Sequence, residues 1–212
     1  MKNGPLVHSG YSEAWFQKLA HNLNPQWMGV VIVKHPIDLF VYQQIIHETK
    51  PDLIIETGTF GGGSALYLAH LCDLLDHGRV LSIDIVKDRQ LPCHPRIDYL
   101  LGMSSTAPEV ISHVAKDAEG KRCMVILDSA HNAKHVTDEM NLYAPFVAPG
   151  CYMIVEDSNV DGYFLGAADI QGEGPAEAIK KWQPSNKGFE QDRSREQYGF
   201  TQNPGGFLRR VR

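Results

Sequence analysis

Residues 53–63 read LIIETGTFGGG, and the order of residue types in that stretch decides the fold. An apolar run, Leu53, Ile54 and Ile55, ends in an acid, Glu56, and Gly58, Gly61, Gly62 and Gly63 follow at once. From Ser64 onward apolar residues recur at helical spacing. A buried parallel strand that turns tightly into a helix has this signature, with glycines where a side chain would block a ligand. The dinucleotide pattern G-x-G-x-x-G would need a glycine at position 60, where Phe60 stands. That glycine lets backbone approach a pyrophosphate. Its absence argues against NAD or FAD and leaves room for a ligand without phosphates, such as S-adenosylmethionine (SAM).

After Pro51 the chain alternates. Strands are expected at 53–57, 80–85, 97–101, 123–128 and 151–156, and helices at 64–76, 107–118, 133–146 and 175–182. Ala65, Leu68, Ala69, Cys72 and Leu75 place an apolar stripe along the first of these helices, and Pro175 suits the first turn of the last. Two short runs, 198–201 and 206–211, flank Asn203–Pro204–Gly205–Gly206 and predict a C-terminal antiparallel hairpin. The pattern is that of an α/β, Rossmann-like, doubly wound and mostly parallel seven-stranded sheet with helices on both faces. Residues 1–50 carry helical pieces at 11–22 and 37–49 and are expected to form an N-terminal helical cap segment before a domain at 51–212. Tyr11, Trp15, Trp27 and Tyr42 are candidate pocket walls or simply core aromatics.

A length of 212 residues suits one such domain, and a net charge of −5 offers no basic footprint for nucleic acid or an anionic membrane. The N-terminal stretch MKNGPLVHSGYSEAWF is too broken for a signal peptide, and no run is long enough to span a bilayer. The four cysteines lack C-x-x-C spacing and read as buried thiols in a reducing cytoplasm.

Ligands of such sheets sit beyond the carboxyl ends of the strands, and the acids of this chain gather there. Asp84, which follows Gly63 at the end of the second strand, can accept hydrogen bonds from both hydroxyls of an adenosine ribose. Ser104 and Ser105 follow the third strand and can flank the adenine. Glu56 and the backbone after Gly58 are placed to hold the amino-acid end of SAM. The fourth strand ends ILDSAH and the fifth IVEDSN; with strand order 3-2-1-4-5, Asp128, Glu156 and Asp157 become neighbours. Three carboxylates in one cleft need a compensating cation, and hard oxygen ligands suit Mg²⁺, Mn²⁺ or Ca²⁺. The alternative is that each acid is a solvated cap, with Asp128 opening the next helix. His131, just past Asp128, can serve as a general base, being mostly neutral near its ordinary pKa of about 6.5, or as a further ligand. His135 reads as structural or exposed.

With these residues in place the chain resembles the class I SAM-dependent methyltransferases, and within them the cephalosporin hydroxylase and rhamnosyl O-methyltransferase family. The resemblance runs through KHPIDLFVYQQII (34–46), PDLIIETGTFGGGSALYLA (51–69), VILDSAHNAKHV (125–136), GCYMIVEDSNVDG (150–162), GPAEAIKKW (174–182) and FTQNPGGFLRR (200–210). It implies SAM at the glycine loop, with Glu56, Gly58, Gly61, Gly62, Ser64, Asp84, Ser104, Ser105 and Asp128 as cofactor-binding residues. It also implies Mg²⁺ held by Asp128, Glu156 and Asp157. Catechol-type O-methyltransferases, similar in plan, carry a lysine three positions after their strand-four acid, where this chain has His131. The expected activity is Mg²⁺-dependent O-methylation of a hydroxyl on a small molecule (a sugar, a polyketide or another natural product) by a cytoplasmic homo-oligomer. A metal-dependent hydrolase or oxygenase, and a non-catalytic SAM-binding partner in a biosynthetic assembly, are the alternatives.

Overall fold

The structure, a computed structural model, describes residues 25–160 and 173–212. The expected helix at 11–22, Tyr11 and Trp15 lie outside the described residues. A short antiparallel pair, β1 (Gln26–Trp27) and β2 (Val30–Val31), leads into helix α1 (Pro36–Thr49). The alternation then runs β3 (Leu53–Thr57), α2 (Gly63–Leu74), β4 (Arg79–Asp84), β5 (Ile97–Leu101), α3 (Pro108–Ala118), β6 (Cys123–Leu127), α4 (Ala133–Tyr143), β7 (Tyr152–Val155), α5 (Pro175–Trp182), β8 (Phe189–Gln191) and β9 (Phe207–Arg210). These last seven strands form one sheet ordered β5-β4-β3-β6-β7-β9-β8. Strands β5 to β7 are parallel, and β9 enters antiparallel between β7 and β8.

The antiparallel pair at the C-terminal end is therefore present, with one correction to its position. The first strand of the pair is 189–191, and 198–201 forms no strand. His35 caps α1, and Pro36 is the first residue of the helix, one position before the expected start at 37. Its fixed φ and missing N–H cost nothing there. No helix among the described residues is long and apolar enough to cross a membrane.

Alternation along each strand divides the core into two layers. Leu53, Ile55, Leu81, Ile83, Val125, Leu127 and Met153 face α3, α4 and α5 through Val114, Met140 and Ile179. Ile54, Val80, Met124, Ile126 and Ile154 face α1 and α2 through Tyr42, Ile45, Leu68 and Ala69. Helix α1 thus shares one core with the sheet. Tyr42 is 1% exposed within that core, while Trp27 packs edge to face on Tyr67 and donates to His70 Nδ1 at 2.9 Å.

The glycine loop has a reason beyond ligand access. Gly58 has φ +88°, and a Cβ there would stand 1.8 Å from the Asp128 carbonyl oxygen. A Cβ on Gly63 would stand 2.1 Å from the Val31 carbonyl oxygen. Both glycines let this chain's own backbone close on the loop, a requirement that stands beside the room expected for a ligand.

Gly58→Ala combines a left-handed φ with a backbone collision and is expected to destabilise by roughly 2–4 kcal/mol. Gly120→Ala, at φ +69° with nothing within 4 Å of the added carbon, is expected to cost about 1 kcal/mol. Urea unfolding of the two variants checks the contrast; equal losses would show that the close approach at Gly58 carries no weight.

Candidate active site

The two-residue period of the strands also sorts the polar residues at their carboxyl ends. Glu56, Ser82 and Asp84 lie on the α1 and α2 side, and continuing β6 and β7 by one residue puts Asp128 and Glu156 on that side too. Several carboxylates in one apolar layer demand compensation. Lys34, on the connection from β2 to α1, supplies it. Its ammonium donates to Asp128 Oδ2 at 2.6 Å and to Glu156 Oε1 at 2.7 Å, and the residue is 3% exposed. Burial alone would discharge Lys34, but the charges of Asp128 and Glu156, with Glu56 behind them, outweigh it and hold the ammonium well above its ordinary range. Burial also works against the charge of Asp128, yet Lys34 and His131 keep that carboxyl below its usual value. Glu156 is pushed well up, by burial first and by Asp128 next, with Lys34 opposing.

Asp157 leaves the alternation. Its φ of +54° is a left-handed conformation that an aspartate adopts at a cost, and its carboxylate comes to His131 on the side of Asp128. Asn203 holds that turn by accepting the Asp157 N–H at Oδ1, 2.9 Å, while its amide donates to Tyr42 Oη at 2.9 Å. Gly206 closes behind it, where a Cβ would stand 2.1 Å from the Val155 carbonyl oxygen. Asp38, at the start of α1, ties the same loop down by accepting from Thr201 Oγ1 at 2.5 Å and the Gln202 N–H at 2.9 Å. Burial pushes the Asp38 carboxyl up to about 6 despite those two donors.

The turned carboxylate meets His131. Nε2 of His131 lies 3.1 Å from Asp157 Oδ2 and 3.5 Å from Asp128 Oδ1. The nitrogen is buried and makes no hydrogen bond of good geometry. Donor atoms of Asp128, His131 and Asp157 all lie within 4.8 Å of one another, and among the described residues these three form the one such group. Two carboxylate oxygens and an orphaned imidazole nitrogen converging on one point fit a small divalent cation. Glu156, expected beside them, has its carboxylate on Lys34. The capping alternative for Asp128 is set aside, because Asn132 caps α4 by accepting the His135 N–H at 2.9 Å.

Across the glycine loop, Asp84 accepts the Phe60 N–H at Oδ2, 2.9 Å, and the Val86 N–H at Oδ1, 2.8 Å. Each oxygen keeps a lone pair for a further donor. Arg89 reaches the same carboxylate at 3.7 Å and lies over the Phe60 ring. Phe60, Ile85 and Val86 are exposed apolar surface beside that acid, which is what a nucleoside with a diol requires. Glu56 is fully buried and accepts from Ser64 Oγ at 2.5 Å and Ser82 Oγ at 2.7 Å; burial raises it despite these donors. Ser104 pairs with Thr106. Ser105 faces His135, whose Nε2 also meets Ser129 and Glu139. Because all three share one ring nitrogen, no relay through the imidazole is built there, and the group reads as packing.

Sequence reasoning passed over Lys34 and Asn203. A lone lysine before a helix carries no mark of burial, since most lysines are exposed. The asparagine looked like turn chemistry.

A family model described as Rhamnosyl O-methyltransferase/CmcI matches residues 20–211. A rhamnosyl O-methyltransferase of Mycobacterium leprae (strain TN) is 37% identical over 188 residues, covering 86% of this chain and 81% of its own length. That of Mycobacterium tuberculosis (strain ATCC 25618 / H37Rv) is 36% identical over 190 residues, covering 86% and 76%. In fold, the chain is similar to a CmcI structure with Mg and SAM, at TM-score 0.67 and 20% identity over 92% of this chain and 84% of that one. It is also similar to the MycE methyltransferase from the mycinamycin biosynthetic pathway with Mg, SAH and mycinamycin VI, at TM-score 0.52 and 20% identity over 66% and 38%.

The expectation of a neutral His131 is corrected for this arrangement. Burial favours the neutral ring, but the carboxylates of Asp128 and Asp157 outweigh it and raise the imidazole to about 11. A raised histidine adds stability that is complete below its ordinary 6.5 and lost as pH rises through about 11. In cation-free protein the ¹⁵N shifts of His131 are expected to stay those of imidazolium across neutrality. A midpoint near the ordinary value would show that the two carboxylates do not act on it.

Proposed function

The chain belongs to the Rhamnosyl O-methyltransferase/CmcI family, and on that premise we propose that it is a SAM-dependent O-methyltransferase using a divalent cation, Mg²⁺ first, to methylate a hydroxyl of a small molecule. The convergence of Asp128, His131 and Asp157 beside the glycine loop carries this reading. The names of the curated relatives favour a sugar hydroxyl as acceptor. When bound, SAM supplies an activated methyl group, and a divalent cation supplies positive charge that lowers the acceptor hydroxyl's pKa and fixes its direction.

The chain's own residues do the rest. Asp84 accepts from the ribose hydroxyls, and Phe60 with Ile85 walls the adenine. The loop from Gly58 to Ser64, with Ser104 after the third strand of the parallel sheet, sets the cofactor's depth, Ser105 supports that turn through its packing on His135, and Glu56 braces the glycine loop through Ser64. Asp128 and Asp157 are the direct cation ligands, and Glu156 is the third acid of the set. His131 Nε2 faces the same point; it holds a proton in the cation-free protein, and with the charge of a bound cation beside it would release that proton and be free to take the acceptor's. Most of the rate is expected to come from holding acceptor oxygen and methyl donor in line. The stretch 1–50 covers the pocket in this reading and contributes Lys34 to its floor. A cytoplasmic enzyme acting on small molecules, not nucleic acid, accords with the net charge of −5. Self-association through exposed Phe40 and Tyr198, which meet edge to face at 5.6 Å, completes the proposal.

The test is incubation with SAM and a panel of sugar acceptors, read by mass spectrometry for a product in which a methyl replaces a hydrogen. Chelation by EDTA is expected to abolish turnover and Mg²⁺ to restore it; full activity in excess EDTA would overturn the cation's part. Asp84→Ala is expected to weaken SAM binding by about 1.5–3 kcal/mol in calorimetry, the scale of hydrogen bonds to a charged group. His131→Ala is expected to lower kcat by about 10²–10⁴-fold with SAM and Mn²⁺ affinity retained. Loss of Mn²⁺ affinity in that variant would make His131 a ligand instead.

A further inference from the structure

Lys34 stands where a cation's third carboxylate would be free to turn. Its ammonium touches Asp128 Oδ2 and Glu156 Oε1, while the oxygens facing His131 are Asp128 Oδ1 and Asp157 Oδ2. The lysine is delivered by a fixed segment. Ile32 before it is 4% exposed in the core, His35 after it caps α1, and the Val31 carbonyl abuts Gly63. The backbone that carries the lysine is therefore fixed, and its buried ammonium rests on the acids that a second positive charge would approach.

Resting on the cation reading above, we propose that Lys34 is a built-in counter-cation that competes with the divalent ion for Glu156 and Asp128. Without the ion, Lys34 balances Asp128 and Glu156 and keeps those two carboxylates from repelling one another, while Asp157 meets His131. With an ion held by Asp128 and Asp157, Glu156 would exchange its ammonium partner for the ion, and Lys34 would keep Asp128 Oδ2. No bond is made or broken beyond these ionic contacts. A hard divalent ion prefers a near-octahedral set of oxygens, so Glu156 is worth more to it than to a monovalent ammonium. The competition keeps the ion's affinity lower than three adjacent acids alone would give, and makes cation release reversible.

The experiment titrates Mn²⁺ into the intact protein without SAM or acceptor and follows free Mn²⁺ by electron paramagnetic resonance. Lys34→Met is expected to tighten Mn²⁺ binding by about tenfold or more, because a like charge within a few ångströms of the ion is removed. A merely structural lysine would weaken binding when lost. The double variant Lys34→Met/Glu156→Gln, which removes the pair and keeps the charge balanced, is expected to lose that gain. Lys34→Gln serves the same comparison if the methionine variant does not fold. Unchanged or weaker binding in the single variant overturns the competition while leaving the cation reading intact. A gain that survives in the double variant overturns the exchange of Glu156. Absence of Mn²⁺ binding by the unaltered protein overturns the cation reading and this proposal with it.

Discussion

Carboxylates cannot be stacked in a protein interior unless something positive or donating meets each one, and that constraint governs the upper edge of this sheet. Glu56, Asp128 and Glu156 rise on the same face as Ile54, Ile126 and Ile154, into a layer packed by α1 and α2. Serines answer Glu56, and Lys34 answers the other two. Remove that ammonium, and two acids on neighbouring strands face each other in an apolar surround. The fold keeps its acids because α1 begins where a lysine can reach them.

The same constraint ties the described part of the N-terminal stretch, residues 25–50, to the sheet. The segment that carries Lys34 also lays the Val31 carbonyl against Gly63. Cofactor loop and acid cluster are thus braced by one short piece of chain, which comes before the first strand of the parallel sheet. Helix α1 closes over it and buries Tyr42 between the sheet and Asn203. Chemistry at the carboxyl ends of β6 and β7 is consequently shaped from both ends of the sequence.

How much of this could be read from residues alone follows from what each signal depends on. Strands 53–57 and 97–101 and the helix at 175–182 agree with the structure to the residue, because apolar period and turn residues mark them locally. The three-residue strand Phe189–Gln191 has a single buried residue, Phe189, and its place beside β9 is decided by pairing, which no local pattern encodes. The β1–β2 turn places Met28 and Gly29 both at positive φ. Methionine is not a residue that announces such a turn, so the pair escaped notice. At the site, acids ending adjacent strands were legible because strand order follows from alternation. Which acid joins Asp128 and His131 and which faces Lys34 depends on the left-handed Asp157, and that conformation is imposed from residues 203–206.

That last dependence has a consequence for how the molecule comes into being. Asp157 lies 46 positions before Asn203, the side chain that fixes its backbone. Strand β9, which anchors the turn holding Asn203, must insert between β7 and β8 before the turn is rigid. During synthesis the five parallel strands can pair and bury Ile54, Met124 and Ile154 well before that happens. The catalytic edge is therefore the last part to acquire its shape, through contacts of high sequence separation that form slowly. A nascent chain would own its core before its chemistry.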